Sequence, residues 1–179
     1  MSLTVAVVAL LGASASAQTS DAASFVRHLR AFAEKGQADS QYKLGIAYDE
    51  GLGVPKDHPE AFKWFRLAAE QGHAHSQFRL GDMYKSGEGI AKSEPEAVNW
   101  FRKAAEQGLA NAQGMLGILY AKGQGVQRNY VLAYMWLSLA SEGRQGAAQY
   151  RDAVGAWMTA AQIAEAQKLA RDWKAAKGR

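Results

Sequence analysis

The 179-residue chain contains no cysteine. That removes disulfide frameworks, thiol nucleophiles and cysteine-ligated zinc in one step. A chain without thiols also enters an oxidising compartment without mispairing. Runs of basic residues are missing too. Net charge is +4, but lysine and arginine are scattered among aspartate and glutamate. Nothing resembles the block of about five or six like charges that marks a nucleic-acid arm, so nucleic acid is not the expected partner. No apolar run reaches the roughly 20 residues that cross a bilayer. What remains is an ordinary soluble balance, 48% hydrophobic and 21% charged, with length for about one domain.

Residues 1–17, MSLTVAVVALLGASASA, carry no charged side chain. An apolar run from Leu3 to Leu11 is followed by small residues. Ala15-Ser16-Ala17 fits the A-x-A rule, with cleavage before Gln18. The stretch reads as a secretory signal, although its start has no lysine or arginine. On this reading residues 1–17 lie outside the mature fold. The mature chain is periplasmic or secreted and has no stable membrane insertion.

The rest is governed by one period. Gln41, Gln77, Gln113 and Gln149 recur every 36 residues. Gly45/Gly81/Gly117, Tyr48/Tyr84/Tyr120, Gly51/Gly87/Gly123, Gly53/Gly89/Gly125 and Trp64/Trp100/Trp136 do the same. A fixed period of this size is the mark of a solenoid, with each unit a pair of helices. The expected fold is all-α, an α/α solenoid. Its parts are a capping helix in 18–37, repeats at 38–73, 74–109 and 110–145, and a half-repeat with a capping helix at 146–179.

Each first helix carries Gln-x-x-Leu-Gly-x-x-Tyr, which puts Leu44, Gly45 and Tyr48 on one face. Glycine inside a helix costs roughly 1 kcal/mol against alanine. Its return at three equivalent positions points to helix backbones too close for a Cβ. The first helix ends at Gly-x-Gly, its first glycine placed for a left-handed turn. An apolar Val54, Ile90 or Val126 follows and should fold back onto the hairpin. No strand precedes these glycines and no Gly-Lys-Ser/Thr follows, so they are not a phosphate loop.

Second helices start at Asp57, Ser93 and Asn129, all good N-caps. Glu60 and Glu96 have capping-box spacing, and Pro59 and Pro95 sit harmlessly in the first turn. The expected buried face is Ala61, Trp64, Phe65, Ala68 and Ala69, and its copies, including Trp100 and Trp136. The third repeat is one residue short, with Gly143 ahead of register. Ahead of the array, Phe25, Leu29, Phe32 and Ala33 fall on one helical face, a lone second helix in register. At the other end, Ala148-Gln149-Tyr150 opens a fourth first helix. Thr159-x-x-Gln162 then caps a final helix bearing Ile163, Ala166, Leu169, Ala170 and Trp173. Residues 174–179 are expected to fray.

The combined motif, A-x-A-Q-Y-x-L-G-x-x-Y-x-x-G-x-G-V followed by A-x-x-W-x-x-x-A-A-x-x-G, resembles the Sel-one-like repeat family of tetratricopeptide-like superhelices. The likeness covers about 24–150, and the stretch MTAAQIAEAQKLARDW resembles the tail of many bacterial members. It implies a right-handed superhelix and a protein-interaction adaptor, often exported or envelope-associated in bacteria. Cysteine-rich relatives linked to β-lactam binding are a branch this chain departs from, so that association is not carried over.

Candidate chemistry is thin. His73-x-His75 sits at a glycine turn with no third ligand fixed nearby, and two ligands do not make a zinc site. Glu94 and Glu96 suit a helix N-terminus, favoured by its dipole. For these and for Asp49-Glu50, nothing indicates a pocket that would perturb a pKa. Ser138 and Ser141 lack a Gly-x-Ser-x-Gly context. No catalytic residue, metal or cofactor is therefore assigned.

The positions that vary between copies are more informative. The resemblance implies that first helices line the concave surface. The candidate binding residues are then Lys43, Ile46 and Glu50 in repeat 1, His75, Arg79 and Asp82 in repeat 2, and Asn111, Met115, Ile118 and Lys122 in repeat 3. Ile46, Met115 and Ile118 are apolar where a solvated face would be polar, and Met suits adaptable surfaces. The alternative is that curvature buries them against adjacent helices. The expected function is a non-enzymatic scaffold binding a protein or peptide in the bacterial envelope. The alternative is an envelope hydrolase or cell-wall accessory protein whose site is hosted on the array.

Overall fold

The computed structural model describes residues 23–143 and 146–178. The signal reading at 1–17 lies outside them. The described residues form nine helices and no strand: α1 (23–34), α2 (Ala38–Glu50), α3 (His58–Glu70), α4 (Ala74–Ser86), α5 (Glu94–Glu106), α6 (Ala110–Lys122), α7 (Tyr130–Ala140), α8 (Ala147–Gly155) and α9 (Ala160–Lys177). Helices pack in chain order, first with second inside a repeat and second with first between repeats. The fold is the α/α solenoid expected from the period. Its core is a strip of helix interfaces, divided into one apolar cluster at each end.

The caps follow the sequence closely. Asp57, Ser93 and Asn129 accept from the backbone N–H three residues on. The reciprocal half of the box forms only at Thr159 and Gln162. The Glu60 carboxylate is instead taken by Lys63 and the Trp64 indole. Gly51, Gly87 and Gly123 end the first helices with φ of 76°, 83° and 68°.

Close approach at the helix glycines holds, with a different partner. A Cβ on Gly45 or Gly81 would meet the ring of Phe65 or Phe101, each at 2.6 Å, and on Gly117 the Leu137 side chain at 2.7 Å. The contact is backbone against side chain. The second glycine of each Gly-x-Gly serves contact between repeats. A Cβ on Gly89 would lie 2.7 Å from the His58 backbone, and on Gly125 2.4 Å from that of Glu94.

Three expectations need correction. Phe65 and Phe101 are fully buried, but Trp64 and Trp100 are only half-buried. A residue beside Phe65 is turned about 100° around the helix, so both cannot point inward equally. Trp136 is buried because α9 packs on α7, with little contact to α8, and sets Trp173 edge-on at 6.0 Å. On α1, Val26, Leu29 and Ala33 face α2, while Phe25 and Phe32 stay exposed. Residues 174–177 remain helical, and Lys174 pairs with Glu142.

Candidate protein-binding surface

Buried glutamines clasp one repeat to the next. Gln41 donates to the Ala33 carbonyl at 3.1 Å, Gln77 to Ala69 at 3.1 Å and Gln113 to Ala105 at 3.3 Å. Gln71 and Gln107, at the ends of α3 and α5, donate in turn to the side-chain oxygens of Gln41 and Gln77. This recurring polar chemistry is structural. Among the described residues no buried side-chain nitrogen or oxygen lacks a partner.

The ten candidate residues do not form one site. Lys43, Ile46 and Glu50 come together along a groove of about 570 Å³ between α1 and α2, whose other wall is Phe25, Val26 and Leu29. Lys43 and Glu50 are exposed, and Ile46 is half-buried against the N-terminal core.

In repeat 2 the face is more engaged. Arg79 reaches back to Asp49 on α2 and lies 5.6 Å over the Phe65 ring. Asp49 also meets His58 Nδ1 at 2.9 Å, so Asp49 is the hub of a link between repeats. His75 is exposed beside Tyr42, ring centroids 5.9 Å apart. Asp82 lines a polar hollow of about 280 Å³ with Lys85, Ser86, Lys92 and Glu94.

In repeat 3, Asn111 and Lys122 are exposed, while Met115 and Ile118 are half-buried against the C-terminal core. Curvature thus covers the apolar candidates partly.

His73 is an N-cap. Its Nδ1 accepts from the Ser76 backbone N–H at 3.2 Å, and its Nε2 is 3.3 Å from Asp39. Burial lowers its pKa below the usual histidine value; Asp39 opposes this and His75 adds to it. Among the described residues no three His, Cys, Asp or Glu side chains are grouped to hold a metal. Ser138 and Ser141 hydroxyls donate to helix carbonyls.

Sequence reasoning missed the α1 wall of the groove. The signal was present: two phenylalanines on a second helix with no first helix ahead of it among the described residues. It also missed the polar hollow, because Lys85, Lys92 and Glu94 converge only when the Gly-x-Gly loop folds back.

Among the described residues no helix is long and apolar enough to cross a membrane. A family model described as Sel1 repeat matches residues 38–73, 74–109 and 110–144. Comparison with curated proteins returns no match. Among solved structures, a Sel1 repeat protein from Oxalobacter formigenes is 36% identical, with a TM-score of 0.66, over 70% of this chain and 96% of that one. A protective antigen of uropathogenic Escherichia coli with an SLR fold is 33% identical, TM-score 0.63, over 83% of this chain and 40% of that one. Cysteine-rich protein B of Helicobacter pylori shares the fold at 20% identity and a TM-score of 0.58, over 73% of this chain and 95% of that one.

Proposed function

The chain belongs to the Sel1 repeat family, and we propose on that premise that it is a non-enzymatic scaffold holding a protein or peptide in the bacterial envelope. Sel1 repeats are in general protein-interaction scaffolds. One observation carries the reading for this chain. Most residues that recur are consumed by packing, caps and glutamine clasps, whereas of those that vary Lys43, Ile46 and Glu50 border an apolar groove, and His75, Asn111 and Lys122 are exposed on the other first helices. A surface of this kind, with apolar centre and charged rim, suits a polypeptide ligand. The uncharged 1–17 segment with its A-x-A site, and the absence of cysteine, support export.

Two measurements test this. A photo-crosslinking residue at position 118 of the full chain, expressed in a bacterial host, should give a discrete protein adduct. A C-terminal alkaline phosphatase reporter should be active, and should lose activity when 1–17 are deleted. Turnover of a cell-wall substrate by the purified chain, with no adduct, would overturn the scaffold. A reporter that is inactive with 1–17 present, or that stays active when they are deleted, would overturn the location.

A further inference from the structure

The groove between α1 and α2 is the same seat that elsewhere in the array holds a helix. Helices α3 and α4 seat α2: Gly45 of α2 lies under Phe65, and Asp49 in its last turn is gripped by Arg79. Helices α5 and α6 seat α4 with Gly81 under Phe101, while Lys85 and Met115 stand where Asp49 and Arg79 form the ion pair. Moving back by 36 residues places Phe25 and Leu29 of α1 where α3 has Ala61 and Phe65. It places Lys43 and Ile46 of α2 where α4 has Arg79 and Asp82. Phe25 is 63% exposed, although its equivalent Ala61 is fully buried by the helix in its seat.

We propose that this seat docks an amphipathic helix of a partner polypeptide, a reading that rests on the scaffold function proposed above. The seat of α2, whose partner Arg79 has the cation Lys43 as its counterpart, states the chemistry. The occupant has about the length of a first helix, 13 residues. It carries an apolar stripe with a small residue facing Leu29, where Gly45 faces Phe65. It has an acidic residue in its last turn, placed for Lys43 as Asp49 is for Arg79. The first-helix half of a second copy fits poorly. In α8 the positions of Leu44 and Gly45 are Asp152 and Ala153, so docking would press a carboxylate against Phe25 and Leu29.

The probe is the α2 sequence itself, a stapled and fluorescently labelled peptide of Ala38–Glu50, titrated by anisotropy against the full chain. Saturable binding is expected. Ile46→Asp should weaken it about tenfold. Lys43→Glu, at an exposed position that leaves the fold intact, should weaken it about fivefold. A peptide carrying Asp49→Lys should recover that loss on Lys43→Glu alone. Thermal melts of both variants separate lost docking from lost fold.

Equal binding to wild type, Ile46→Asp and Lys43→Glu, or none to any of them, would overturn the seat. The scaffold reading would still stand if the adduct at position 118 forms. A concentration-dependent dimer abolished by Ile46→Asp would give the seat to a second copy. Binding gained only after removal of 1–17 would give it to the chain's own N-terminal segment. Either result overturns the proposal.

Discussion

Gly81 lies directly against the ring of Phe101: a Cβ there would stand 2.6 Å from two ring carbons. Two effects compete in Gly81→Ala. Helix propensity favours alanine by roughly 1 kcal/mol. Overpacking a closed core costs about 1–3 kcal/mol. Phe101 is fully buried, so its ring has nowhere to move. The clash should win, and Gly81→Ala should lower the melting temperature. Adding Phe101→Leu should return part of the loss. A stabilised Gly81→Ala would show that the ring yields.

Phe101 and Trp100 adjoin in sequence and differ in burial. Phe101→Ala should cost about 3–5 kcal/mol, the usual range for a buried aromatic. Trp100 is half-exposed, with the Lys103 ammonium 4.0 Å from its ring centroid. Its truncation should cost about 1–2 kcal/mol. Denaturant unfolding of the two variants decides this. Equal losses would return the indole to the core.

These pairs show what the sequence can carry. A period of 36 reports that an environment recurs, and so it located the helices, the αL glycines and the N-caps. It does not report whether that environment is inside. Trp64, Trp100 and Trp136 recur equally, yet only Trp136 is buried, because α9 folds back from outside the pattern. The candidate surface divides along the same line. Lys43, Ile46 and Glu50 were legible as one face of α2, since they share a helix. Their meeting with Phe25 and Leu29 was not, because it depends on how α1 crosses α2. Arg79 was legible as variable, but its ion pair with Asp49 joins residues from two repeats.

Gln77 makes a buried clasp between repeats. It donates to Ala69 at 3.1 Å and accepts from Gln107 at 2.7 Å. Gln77→Leu keeps the volume and removes both bonds. Ala69 O keeps its bond from Gly72 N, so the expected loss is modest, about 1–2 kcal/mol. Gln107→Ala should cost less, because its residue is exposed. The double variant should lose less than the sum of the two, since both remove one shared bond. Additive losses in urea unfolding would show that the clasp contributes nothing as a pair.

His73 gives one helix a pH-dependent start. Gln37 and Leu109, at the equivalent positions, make no side-chain cap. His73 caps α4 through Nδ1, which accepts only while it is unprotonated. Burial is the leading cause of its lowered pKa, with Asp39 opposing and His75 reinforcing. The Tyr42 ring also packs on it, centroids 4.8 Å apart. A base whose folded pKa lies below its unfolded value binds fewer protons when folded. Its stabilising contribution is therefore complete above the unfolded value of about 6.5 and is lost as pH falls through the lowered folded value. His73→Asn retains a cap without a titrating group. Urea unfolding from about pH 7.5 down to about pH 5 should show a shallower loss of stability in His73→Asn than in wild type. Identical pH slopes would assign the acid sensitivity to other groups, and the cap would then be indifferent to protonation.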